Sequence, residues 1–329
     1  MRILFFTDTH IRGNAPVNRQ DNLLDTLKKK LHEVVDIAND HDVDYVLHGG
    51  DFFDNPAPAL SVAADCLEIF KGFKMPLYGI FGNHDVYGGN STTLSRTILG
   101  FAARLGVLQL LDDGQKVNLS AHGIKATLIG KPFNNEIDHR SPDNDYIVDK
   151  DGESDLTIHM VHGMLMDKAD FPGSTTLIND IVATGADITL AGHNHIGFGA
   201  VEREGRHFVN PGALVRLSNH VREIERPVQV ALLDLTGGAV NCRLISIKTA
   251  QPGETVLDRS KIEERESKLL MMERFTRDVR DAADLQRWDV RELIEKLAQS
   301  EQIGDKIRAE ALNRIAAAEE SLRNKEGWE

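Results

Sequence analysis

"MRILFFTDTH" (residues 1–10) runs from apolar side chains straight into carboxylate, hydroxyl and imidazole groups. The same change recurs at "IFGNHD" (80–85) and at "LAGHNH" (190–195). Each apolar run has the length of a buried strand, and its polar cluster follows at the carboxyl end. Around them the pattern alternates. "RILFFT" (2–7) reads as a strand, and within residues 22–40 Leu23, Leu27, Leu31 and Val35 recur at the spacing of one helix face. Strands at 44–49 and 76–82 precede helices at 59–73 and 93–106. Strand followed by helix, repeated, predicts a layered α/β fold with mostly parallel pairing.

Beyond residue 106 strands crowd together, at 107–112, 124–131, 156–162, 187–193, 198–204, 206–210, 227–235 and 239–248. One helix is expected among them, over 175–185. Residues 134–155 are polar and Asp-rich, the composition of a surface loop. The stretch 249–260 carries Pro and Gly without periodicity and marks a boundary. Charged helix formers follow it, with "KIEERESK" (261–268) reading as a solvated helix face and Ile303, Ile307, Ala311 and Ile315 forming one stripe.

The chain has 329 residues and a formal net charge of −13, a balance set against indiscriminate nucleic-acid binding. Divalent ions bound in a cleft would reverse that sign locally. No apolar run reaches the roughly 18 residues that a membrane crossing needs, and an acidic residue arrives too early for a secretory signal. Cys66 and Cys242 are too few for a disulfide framework. A cytoplasmic location without a membrane partner is expected.

In an open α/β sheet, ligands gather beyond the carboxyl ends of the strands. Asp8 and His10 lie there in "TDTH", Asp51 and Asp54 in "GGDFFD", and Asn83, His84 and Asp85 in "GNHD". His162 ends "IHMVHG", and His193 and His195 end "AGHNH". Each cluster alone reads equally well as a turn, a helix cap or a core histidine. Together, five remote segments deliver carboxylates, an amide and imidazoles to one rim, enough for two ions sharing a carboxylate. Such ligands suit Mn²⁺, Fe or Zn²⁺, and two-metal sites act on phosphate esters.

The series "DTH", "GDFFD", "GNHD", a lone His and "GHNH" resembles the calcineurin-like metallophosphoesterase superfamily. "ILFFTDTHI", "VLHGGDFFD" and "FVNPGALVRLS" (208–218) resemble its SbcD-type DNA-repair nuclease branch. The resemblance implies a metallophosphoesterase-type sandwich with a small capping region and a helical C-terminal segment. It implies two divalent metal ions, Mn²⁺ first among them: Asp8, His10 and His195 on one, Asn83, His162 and His193 on the other, and Asp51 bridging. His84 would face the scissile phosphate, Asp85 would orient its ring, and hydroxide would attack phosphorus in line without a covalent intermediate. Residues 1–218 would form the catalytic domain, 219–250 a small β capping region or the completion of the sheet, and 251–329 a helical segment. That segment would dock an SbcC-type ATPase, form a homodimer or pack on its own domain.

Where some relatives carry a histidine this chain has Asp54, which is expected to hold a ligand histidine instead. His48 and His159 read as core or as support for ligands. Arg12 and Arg216 are the basic residues expected to touch phosphate. Three functions stay open: a DNA exo- or endonuclease of repair or recombination, a small-substrate phosphodiesterase or phosphomonoesterase using the same metals, and a non-catalytic scaffold. The complete ligand set speaks against the scaffold, and the nuclease is the reading expected first.

Overall fold

A computed structural model describes residues 1–236, 239–260, 268–277, 294–295, 297–298, 301 and 303–326. Met1–Asp258 and Arg259–Glu329 form two units. The first runs β1 (Arg2–Phe6), α1 (Leu23–Asp40), β2 (Tyr45–His48), α2 (Leu60–Phe70), β3 (Leu77–Gly79), α3 (Ile98–Arg104) and β4 (Gln109–Leu110). It continues with β5 (Lys116–Ala121), β6 (Ile124–Lys131), β7 (Leu156–Gly163), β8 (Leu165–Met166), β9 (Thr176–Leu177) and β10 (Ile188–His193). β11 (Gly199–Arg203), β12 (Arg206–Asn210), α4 (Val221–Glu225), β13 (Gln229–Thr236), β14 (Ala239–Ser246) and α5 (Gly253–Val256) complete it.

Among the described residues these strands make two six-stranded sheets, in the orders β14-β13-β1-β2-β3-β4 and β11-β12-β10-β7-β6-β5, and the pair β8-β9. β1 to β4 are parallel, as are β6, β7, β10 and β12, and antiparallel strands close every edge but that of β4. The reason for the nearly unbroken apolar run in β1 is visible in its pleat. Ile3 and Phe5 meet Ile158, Met160 and Leu190 of the second sheet, while Leu4 and Phe6 meet Leu27 and Leu31 of α1. A strand covered on both faces has no polar side to show. α1 buries the face carrying Leu23, Leu27, Leu31 and Val35, and Asn22 caps it by accepting from Asp25 N at 3.3 Å. The fold is thus mixed α/β, two sheets face to face with α1 and α2 packed on the first.

Four local readings change. The helix expected over 93–106 is a 3₁₀ turn, Ser91–Arg96, followed by α3. Thr97 is extended between them and its hydroxyl accepts from Gly100 N at 3.1 Å, starting a new helix. The strand expected over 107–112 shortens to Gln109–Leu110. Over 175–185 no α-helix forms: β9 leads into one 3₁₀ turn, Ile178–Asp180, with Thr176, Ile178 and Ile181 each buried. The Asp-rich stretch 134–155 is only partly surface, since Ile137 and Tyr146 are buried with Ile178, Ile181 and Phe208 against the outer face of the second sheet.

Residues 219–250 contribute α4 and the hairpin of β13 and β14, which extends the first sheet beyond β1. In the second unit a helix spans Asp305–Glu326, with Ile307 exposed and Ala311 and Ile315 half-buried, while half-buried Ile303 precedes it. "KIEERESK", as far as residue 267, lies outside the described residues. Among the described residues no helix is long and apolar enough to cross a membrane.

Candidate metal centre

The loops that leave β1, β2, β3, β7 and β10 converge at one rim. One donor atom from each of Asp8, His10, Asp51 and His195 lies within 4.8 Å of the others, and so does one from each of Asp51, His162 and His193. Asp51 belongs to both groups. His10 Nε2 stands 2.9 Å from His195 Nε2, 3.5 Å from Asp51 Oδ2 and 3.9 Å from Asp8 Oδ1. His162 Nε2 stands 3.4 Å from Asp51 Oδ2. Donor atoms that each sit about 2.0–2.2 Å from one ion are spaced by roughly this much.

Other observations fit the residues to cations. Asp51 Oδ2, Asn83 Oδ1 and His162 Nε2 are buried atoms without a hydrogen-bond partner, a costly state for protein alone. Asn83 is brought to the rim by its neighbour, as His84 N donates to Asp51 Oδ1 at 2.9 Å. Asp8, His10, Asp51 and His193 all hold left-handed backbone, with φ of 53°, 39°, 54° and 73°. Strain of that kind in non-glycine residues persists where the surroundings enforce it. The enforcement is a lacing of main chain: Asp8 N donates to Gly50 O and His10 N to Asp51 O, both at 3.0 Å. Gly50, at φ 103°, has no room for a side chain, because a Cβ there would lie 2.3 Å from His162 Nδ1.

The ring tautomers follow from their fixed partners. His162 Nδ1 donates to Gly49 O at 2.7 Å, so once the ring is neutral its lone pair is on Nε2, which stands 3.4 Å from Asp51 Oδ2. His84 Nδ1 donates to the main-chain carbonyl of Asp54 at 2.8 Å, which tethers the ring through that nitrogen. Electrostatically the cluster alternates in sign. Burial alone would raise the Asp51 pKa, yet His162 and then His10 hold it well below the usual carboxylate range. Burial would lower His162, but Asp51 and then Asp8 raise it to about 9. His193 is lowered to about 3 by burial and then by His162. Burial raises Asp8, against the pull of His162.

Three supporting roles differ from expectation or sharpen it. Asp85 does not orient the His84 ring. Its carboxylate accepts from Phe52 N at 3.2 Å, Phe53 N at 2.9 Å and Gly82 N at 2.9 Å, pinning "GNHD" to "GDFFD". Asp54 Oδ1 faces His10 Nδ1 at 3.6 Å and its Oδ2 pairs with Arg12 at 3.0 Å. Arg216 makes no phosphate contact from where it lies. It is buried, and its guanidinium donates to the carbonyls of Glu223, Arg226 and Gln251.

His48 is buried, stacked on Phe52 at 3.6 Å, and its Nδ1 accepts from Gly50 N, so it supports the Asp51 loop from beneath. His159 is buried in β7 outside both groups. The Asn-Pro-Gly segment acts as a clamp: Asn210 Nδ2 donates to Asn194 O, Ala213 N to His195 O and Leu214 N to Thr7 O. Thr7, whose hydroxyl donates to Asp8 Oδ2 at 2.7 Å, went unread in the sequence although it stands inside "TDTH".

Two stacked sheets with this ligand set at their strand ends define a metal-dependent phosphoesterase. A model of the calcineurin-like phosphoesterase family matches residues 1–197, and the chain belongs to that family. The DNA double-strand break repair protein Mre11 of Haloferax volcanii is 27% identical over 256 residues, which is 75% of this chain and 52% of that protein. Mre11 of Methanosarcina acetivorans is 33% identical over 112 residues, 32% of this chain and 17% of that protein. The match thus spans about half of the first relative and a smaller part of the second. Among solved structures, a dimetal phosphatase from Danio rerio is 13% identical at a TM-score of 0.46, with 75% of this chain and 99% of that one covered.

Proposed function

We propose that this chain is a two-metal DNA nuclease of repair or recombination that hydrolyses phosphodiester bonds, with Mn²⁺ as its ion ahead of Fe or Zn²⁺. The observation that carries the reading is Asp51, common to both ligand groups, beside His84 on the wall of an open cavity. The relatives named for double-strand break repair support DNA as the substrate. Asp8, His10 and His195 would hold one ion, Asn83, His162 and His193 the other, and Asp51 both. When bound, the two ions supply charge stabilisation for an in-line displacement and an activated water.

The chain's own residues do the rest. Asp51, kept ionised by the imidazoles around it, needs no proton removed before it serves as a ligand. His84, tethered through Nδ1, offers Nε2 to the cavity, where a protonated ring would steady a phosphoryl oxygen or protonate the leaving one. Arg12, 20% exposed in its side chain, is the basic group proposed to meet the backbone of the substrate.

The second unit is proposed to dock an SbcC-type ATPase. Support comes from Leu269, Leu270, Met271 and Met272, which are 54–69% exposed. A homodimer is the competing use of that surface, and light scattering of the chain alone separates the two. A cytoplasmic location is proposed with the support of Cys66 and Cys242, both free.

The test is Mn²⁺-dependent cleavage of end-labelled linear DNA, with a chelator and His84→Ala as controls. Cleavage that both abolish supports the reading. The net charge of −13 favours a second one, a small-substrate phosphodiesterase. Turnover of bis(p-nitrophenyl) phosphate by protein that leaves DNA intact would select it.

A further inference from the structure

A cavity of about 340 Å³ borders the candidate metal centre. Asp51, His84, His193 and His195 line it, with Asn194 and Arg222. Met164, Met166, Phe171 and Ile196 give it an apolar part. Phe171 is 50% exposed and belongs to none of the apolar clusters that hold the first unit together. Folding gains little from a ring so placed, and a hydrated phosphate has no use for it.

The apolar wall is also built to stay where it is. Asp138 accepts from Met164 N at 2.7 Å, from the Thr176 hydroxyl at 2.7 Å and from the Tyr146 hydroxyl at 2.6 Å. β8, which carries Met166, pairs with β9. Asp167 and Asp170, on the loop bearing Phe171, pair with Arg203 and Arg222 at 2.9 Å each. Gly173 makes room for the ring, since a Cβ there would come within 2.7 Å of Phe171 Cε1.

We infer that the wall of Met164, Met166, Phe171 and Ile196 is a base-stacking subsite, which seats the unpaired base of the nucleotide whose phosphate lies on the metal centre. The inference rests on the nuclease reading and adds strand selectivity to it. A nucleobase is the flat, apolar part of a nucleotide, and aromatic and thioether side chains stack on any of the bases. A base lying on Phe171 has left the duplex stack, so the substrate is a single strand or a frayed end. A phosphomonoester of a small alcohol would leave this wall wet.

The test compares Mn²⁺-dependent cleavage of a single-stranded oligonucleotide with cleavage of the same strand abasic at one nucleotide, reading kcat/KM at that position. The intact strand is expected to be favoured roughly tenfold, the scale of one base on one ring. Phe171→Ala should bring that ratio close to one, Phe171→Trp should preserve it, and Gly173→Ala, which displaces the ring, should reduce it. An equal ratio in wild type and Phe171→Ala overturns the subsite while cleavage itself upholds the nuclease. If neither strand is cut while bis(p-nitrophenyl) phosphate turns over, the nuclease reading falls and the subsite falls with it.

Discussion

Asp54 acts through its main chain and through its carboxylate, and replacing it with alanine removes only the carboxylate and its contacts to His10 and Arg12. Its main-chain carbonyl, which survives the change, holds His84 Nδ1 at 2.8 Å. Its carboxylate, which does not, faces His10 Nδ1 at 3.6 Å. Two full charges at that distance would interact by about 4–5 kcal/mol at an effective dielectric of 20. A ligand imidazole is neutral, however, and 3.6 Å exceeds hydrogen-bond reach, so only a fraction applies. Carboxylates that support ligand histidines are worth about 10–100-fold in metal affinity, and the long contact argues for the lower end, about tenfold. Paramagnetic titration of free Mn²⁺ at pH 8 would resolve the two sites. Asp54→Ala is expected to weaken one of them about tenfold and to spare the other, which is held by His162 and His193. Because His84 keeps its tether, saturating Mn²⁺ should restore most turnover. Equal weakening of both sites, or a loss of kcat that excess metal does not repair, would refute this division.

Four further outcomes are expected. His84→Ala should retain two ions per chain and lose turnover by about two orders of magnitude or more, as for a positioned acid or charge stabiliser; undiminished activity would remove it from the chemistry. Asp51→Ala should lose both ions together in a metal analysis, because that carboxylate is common to both groups. Asp85→Ala strands three buried N–H groups, so urea unfolding should show a loss of roughly 2–5 kcal/mol. An unchanged midpoint with lost activity would return Asp85 to orienting His84. Burial, and then Arg19 and Arg226, hold the Lys30 pKa well below its ordinary 10.5. Between the lowered value and 10.5 the unfolded chain binds the proton that the folded chain has released, so this residue makes stability rise with pH in that window. Lys30→Met should flatten that rise in urea midpoints taken from neutral to alkaline pH.

What could be read in advance depended on whether a residue's neighbours determine its type. β1 had to be apolar throughout because Ile3 and Phe5 meet one sheet while Leu4 and Phe6 meet α1, and that requirement is legible without coordinates. The candidate ligands could be named for a similar reason, since a metal centre would constrain side-chain chemistry at several strand ends at once. Ile178 and Ile181 misled because apolar positions three apart suit a helix, whereas burial against the outer face of the second sheet set their course. Arg216 misled in another way. An arginine in a loop after the last ligands looks the same whether its fork meets phosphate or main-chain carbonyls.

The partners of the imidazoles were out of reach for a deeper reason. His162 leans on the carbonyl of Gly49 and His84 on that of Asp54, and a carbonyl belongs to every residue, so it leaves no trace in the sequence. The left-handed backbone at Asp8, His10, Asp51 and His193 is equally silent, because these residue types are tolerated there without being required. Yet these silent features do the positioning. Strained loops laced by main-chain hydrogen bonds deliver carboxylates and imidazoles with little freedom left to lose when an ion arrives. The sheets supply the rigidity, the strained residues stand at their strand ends and in the loops beyond, and Asp51, Asn83 and His162 each keep one buried atom without a hydrogen-bond partner. Ligand identity is therefore written in side chains, whereas ligand geometry is written in backbone, and the second becomes readable only after folding.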